Sequence, residues 1–112
     1  MQYMALIYID PALAPAMSDK MNAEYFDLTK RMRDAGVIKG GDALHPPSTA
    51  TSIRIRGGKV ETMDGPFAET REHLGGYYLL DCADLDEAIK WAAQIPGARH
   101  GTVEVRPVVI FG

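Results

Sequence analysis

"GYYLLDCADLDEAIKWAAQIPG", residues 76–97, decides how this chain is read. Residues 76 to 82, GYYLLDC, are aromatic and aliphatic, and predict a strand. Asp84 then stands where a helix needs a side-chain acceptor for its first free N–H groups. Glu87 follows at the capping-box distance. Leu85, Ala88, Ile89 and Ala92 recur at spacings of three and four, the stripe of a helix that buries one face. Pro96-Gly97 ends that helix.

Upstream, "YMALIYI", residues 3–9, predicts another strand, closed by Asp10-Pro11. Tyr3, Ala5, Ile7 and Ile9 lie on one face; Met4, Leu6 and Tyr8 lie on the other. A strand apolar on both faces is covered on both faces. Ser18 is placed to cap a first helix running to about Ala35, with Met21, Tyr25, Leu28, Met32 and Ala35 on its buried stripe and Gly36 as its stop. Two glycines and two prolines predict a loop over residues 39 to 51. "SIRIRGGKVET", residues 52–62, reads as a hairpin turning at Gly57-Gly58, which sets Ile55 opposite Val60 and Arg54 opposite Glu61. A last strand is predicted over 102 to 111, where Pro107 cannot donate a ladder hydrogen bond and so belongs on an edge or at a bulge.

The order is strand, helix, hairpin, strand, helix, strand. Packed in two layers, it predicts an α+β fold: a ferredoxin-like antiparallel sheet with both helices on one face and an extra hairpin strand. The other face cannot be left to water if the first strand is apolar on both sides. A second copy is its simplest cover, so a twofold homodimer is expected, sheet facing sheet, with a cavity between sheet and loops. Alternation alone leaves open whether Tyr77 or Tyr78, and Val105 or Arg106, face outward.

The 112 residues fit one domain, residues 1–112, and 46% apolar against 24% charged residues is a globular balance. A net charge of −3 supplies no basic field, which argues against direct nucleic-acid binding and against an anionic membrane surface. The N-terminal apolar run stops at Asp10, short of the roughly 20 residues that span a bilayer. The single cysteine, Cys82, cannot form an intrachain disulfide and reads as a small buried apolar residue; the expected location is cytoplasmic.

The chemistry-bearing residues gather in "TMDGPFAETREHLGGYYLLD", residues 62–81. Asp64-Gly65-Pro66-Phe67 has a structural reading, in which Asp64 bonds the backbone two residues on and Phe67 plugs the core. It also has a functional one: Asp64 is a rigidly held carboxylate that takes a proton or orients a histidine, His100 or His45. Glu69 and His73 would share one face of a short helix. Glu69, Arg71 and Glu72 form either a solvated, ion-paired loop or the frame of a pocket, where Arg71 would hold a carboxylate or phosphate. Gly75-Gly76 is a bend that admits close approach of another backbone. Of Tyr77 and Tyr78, one is core and the other offers its hydroxyl to a cavity; Tyr78 is the candidate ligand contact. The three histidines lack metal-ligand spacing and no cysteine pair exists, so no metal is expected. No phosphate loop or dinucleotide fingerprint is present, so no cofactor is expected either.

"DGPFAETREHLGGYYLLDCADLDEAIKWAAQIPGARHGTVEVRPV" closely resembles the DGPFAETKE (DGPF domain) proteins, part of the YCII-related family. The likeness extends to "MQYMALIYID" at the start and "AGVIKGGDALHPP" in the middle. Arg71 stands where the family motif has lysine, and His73 where glutamine is usual. The resemblance implies a dimeric α/β barrel built from ferredoxin-like subunits. It also implies a pocket in which a histidine and an aspartate lie together, and a link to alternative sigma factors of the extracytoplasmic type. Two functions are therefore expected as rivals. One is a small dimer that binds an organic ligand between its sheet and the 40–51 and 64–74 loops, and performs a cofactor-independent acid–base step. The other is a non-enzymatic regulatory accessory that docks a sigma factor.

Overall fold

The computed structural model describes residues 1–12, 19–68 and 70–111. Strand β1 spans Gln2–Ile9, helix α1 Asp19–Asp34, and β2 Ile38–Ala43. The pair β3, Thr51–Arg56, and β4, Lys59–Asp64, follows. Strand β5, His73–Asp81, leads to helix α2, Leu85–Ala92, and to β6, Thr102–Pro107. The main sheet is antiparallel with order β2-β5-β1-β6, the ferredoxin-like order. Residues β3 and β4 form a separate two-stranded ribbon.

The second strand of that sheet is β2, inside the stretch whose glycines and prolines predict a loop. Gly40 and Gly41 do not break it, because they sit at its irregular register against β5. A Cβ on Gly41 would stand 2.7 Å from the Tyr77 carbonyl oxygen. Glycine is there for close backbone approach, a use that composition cannot distinguish from a turn. The hairpin turns at Gly57 and Gly58 with φ of 56° and 77°, and Ile55 pairs with Val60 and Arg54 with Glu61 as expected. It adds no strand to the main sheet.

Both helices pack on one face. Leu28 and Met32 of α1 and Ala88 and Ala92 of α2 join Tyr3, Ala5, Ile7, Tyr78 and Leu80 of the sheet in a single core. Helix α1 closes with the Gly36 N–H on the Arg33 carbonyl and the Val37 N–H on the Met32 carbonyl, both at 3.0 Å. Those two bonds satisfy carbonyls the helix leaves over, and buried Val37 packs with Met32 in the core. Ser18, the expected N-cap, lies outside the described residues, and Ala35 is exposed just beyond the helix. Asp84 accepts from the Glu87 N–H at 2.9 Å and caps α2. Only the alanines of the expected α2 stripe are buried; Leu85 and Ile89 are about half exposed, at 48% and 49%. The small side chains seat the helix close to the sheet, and Trp91 and Ile95 fill the flank instead.

The uncovered face carries Met4, Leu6 and Tyr8 of β1 with Tyr77 and Leu79 of β5 and Arg106 of β6, since directly paired residues point the same way. Tyr78 and Val105 face the helices. Strand β6 stops at Pro107 rather than 111 because its partner β1 starts at Gln2; one more bond, Val108 N–H to the Gln2 carbonyl, is made before the chain leaves. Pro107 thus ends an edge strand. Cys82 is buried, and burial, with the Glu87 carboxylate next to it, pushes its thiol above the usual range.

Candidate ligand cleft

The stripe of α1 next to its core stripe is Asn22, Phe26, Thr29 and Arg33, spaced four, three and four. These residues line one wall of a cleft of about 540 Å³. The opposite wall is the helix-covered face of the sheet at Ile7, Gly76 and Tyr78, and Ala43, Gly97 and His100 also line the cleft. This volume lies in the range of small-molecule sites.

Hydroxyl groups form the polar floor. Thr29 Oγ1 and Tyr78 Oη are 3.1 Å apart. Tyr25 Oη accepts the Gly97 N–H at 3.1 Å. Burial pushes the Tyr25 phenol above its usual range, so the group stays protonated and able to donate. Gly97 has to be glycine for this contact: a Cβ there would come within 2.8 Å of Ile7 and 3.0 Å of the Tyr25 oxygen. Gly76 is a close approach of the same kind, with a would-be Cβ 3.0 Å from the Asp42 carbonyl oxygen. At the rim, Tyr77 Oη donates to Asp42 Oδ2 at 3.0 Å, and that bond to a carboxylate raises the Tyr77 pKa.

Two of the residues expected from the sequence, His100 and Tyr78, meet in this cleft. Asp64 and His45 are not among its lining residues. Asp64 ends β4, exposed, where the Gly65 N–H reaches the Ala50 carbonyl at 2.6 Å and Ser52 Oγ donates to the Gly65 carbonyl at 2.9 Å. Those contacts hold the turn from the neighbouring chain segment. Phe67 does not plug the core; it is 72% exposed. His73 opens β5 rather than lying on a short helix, and Arg71 and His73 line a second, shallower depression of about 590 Å³ with Asp10 and Thr70. Glu72 borders neither hollow, though its carbonyl accepts from Thr70 Oγ1 at 2.7 Å. Glu69 lies outside the described residues. This cleft lies on the helical side of the sheet, along α1. The α1 wall was missed because only the Met21–Ala35 stripe was read on this helix, and Asn22, Phe26, Thr29 and Arg33 lie beside it; an aromatic in that row, Phe26, was the available signal.

A profile of the YCII-related domain matches residues 1–112. The chain belongs to the YCII-related family. It is also similar to an uncharacterised protein of Rhizobium meliloti (strain 1021), 35% identical over 117 residues, a span covering 99% of this chain and 94% of that relative. Among the described residues no helix is long and apolar enough to cross a membrane, and no group of three or more His, Cys, Asp or Glu side chains is arranged to hold a metal ion.

Proposed function

We propose that this YCII-related protein is a homodimer that binds a small organic ligand in the α1 cleft, and that His100 moves a proton on that ligand without a cofactor. The observation that carries the reading is the cleft itself: an apolar trough of about 540 Å³ with convergent hydroxyls from Tyr25, Thr29 and Tyr78 and an imidazole in its lining. Hydroxyls bonded to one another or to backbone are held in position, and a held donor stabilises charge that develops on a bound oxygen. An imidazole beside it is the side chain suited to give or take a proton near neutral pH. Asp64, outside the cleft lining, takes no part in this step.

The dimer reading rests on the helix-free face, where Met4, Leu6, Tyr8 and Leu79 are only half buried in the single chain. The regulatory alternative has one observation in its favour. Ile53, Ile55 and Val60 form an apolar stripe on the hairpin ribbon, each at least 65% exposed, which is a surface on which a sigma factor could dock. With one cysteine and no membrane-crossing helix among the described residues, a reducing cytoplasmic setting suits either role.

Backbone amide NMR during titration with a library of small aromatic fragments tests the cleft. Shifts confined to Thr29, Gly76, Tyr78 and His100 are the expected result. Shifts confined to the hairpin, or none at all, would overturn it. For a ligand that the protein turns over, His100→Asn is expected to lower kcat by about 100-fold with KM little changed.

A further inference from the structure

Resting on the cleft reading above, we infer that the ligand is a monocarboxylate with a flat apolar body and an oxygen acceptor some 6 Å from its carboxylate. The carboxylate sits on Arg33 and the acceptor meets the Thr29–Tyr78 hydroxyl pair. Arg33 and Thr29 are four residues apart on α1, one turn, which separates their backbones by about 6 Å along the axis. Both line the cleft.

Arg33 has no ion-pair partner among the described residues, although Arg31 pairs with Asp27 at 2.9 Å on the same helix and Arg99 pairs with Glu24. Among the described residues it is the cleft's only lining residue with a permanent positive charge. A guanidinium presents a planar fork that matches the two oxygens of a carboxylate. One guanidinium neutralises one carboxylate, and a second carboxylate on the ligand would find no further Lys or Arg among the described lining residues.

The hydroxyl pair has a proton to give. Thr29 and Tyr78 bring two hydroxyl protons and use one between them at 3.1 Å, so one remains for an acceptor on the ligand. Tyr25 supplies a second, because its oxygen is occupied by the Gly97 N–H and its own proton is not. Phe26 lies beyond the hydroxyl pair from Arg33, three residues before Thr29 on α1, and is 78% exposed, an aromatic face presented to solvent at the cleft rim. An aromatic or other planar body that reaches past the hydroxyl pair covers that face.

Calorimetric titration with 4-hydroxybenzoate and with its neutral methyl ester, on the wild-type protein and on Arg33→Gln, tests this. The acid is expected to bind the wild type about tenfold more tightly than the ester. Arg33→Gln is expected to abolish that difference by weakening the acid alone. Arg33 is exposed, so its substitution leaves the fold intact, and an unchanged melting temperature confirms this. Equal binding of acid and ester to the wild type, or an acid affinity unchanged in Arg33→Gln, overturns the carboxylate assignment while the cleft reading stands. If acid and ester both fail to bind, both fall.

Discussion

The two faces of the main sheet come from the same strands, yet they meet different surroundings. On β5, Leu80 points to the helices and is fully buried, while Leu79, its neighbour, points the other way and is only half buried. On β1 the same holds for Ala5 and Leu6. At the centre of β1 and β5 the side chains on both faces are apolar, so hydrophobicity does not separate the faces there. What separates them is that two helices descend on one, drawn there by Leu28, Met32, Ala88 and Ala92, and none on the other. Within one chain, then, the helical face is finished and the opposite face is not. It is on this face that the proposed second copy would sit.

The comparison can be broken or sharpened by substitution. Leu80→Ala removes a fully buried side chain and leaves a cavity; a loss of about 2–5 kcal/mol in chemical denaturation is expected, and a loss under 1 kcal/mol would mean the helical face is not the stabilising core. On the other face, Leu79→Glu is expected to halve the mass read by light scattering and to change subunit stability by no more than about 1 kcal/mol. Wild-type protein already monomeric at micromolar concentration sinks the dimer. Asp84→Ala releases the cap of α2 and is expected to cost about 1 kcal/mol, since the Glu87 N–H loses its acceptor. The smallest effect is expected from Ile55→Thr on the ribbon, within about 0.5 kcal/mol for the subunit; a larger loss that depends on protein concentration would show that a second copy covers the ribbon.

Much of the fold was legible in the sequence because its signals are local. The Asp84–Glu87 cap, the Gly57-Gly58 turn with its register, the Leu28–Met32 core of α1 and the Gly36 stop each depend on residues within one or two turns of each other. The misses share the opposite property. Residues 39–43 read as a loop, yet Gly41 serves a close approach to the Tyr77 carbonyl, 36 residues away in sequence. Leu85 and Ile89 carry the right spacing but lie on the side of α2 turned from the sheet. Phe67 was expected in the core and points to solvent. The cleft combines both kinds: His100 and Tyr78 were candidates from the sequence, whereas Asn22, Thr29 and Arg33 gained meaning only when α1 was laid across β5.

By itself the sequence determined the kinds of most elements, the turn and cap chemistry, and membership in a two-layer α+β class, since hydrophobic period and backbone preference act over short stretches. The tertiary structure alone decided that β2 and not the hairpin completes the sheet, which way Tyr77 and Tyr78 point, and that Asp64 stands apart from the cleft holding His100. Those outcomes are set by packing between segments distant along the chain, where a rotation of one helix or a shift of one strand exchanges a buried side chain for an exposed one.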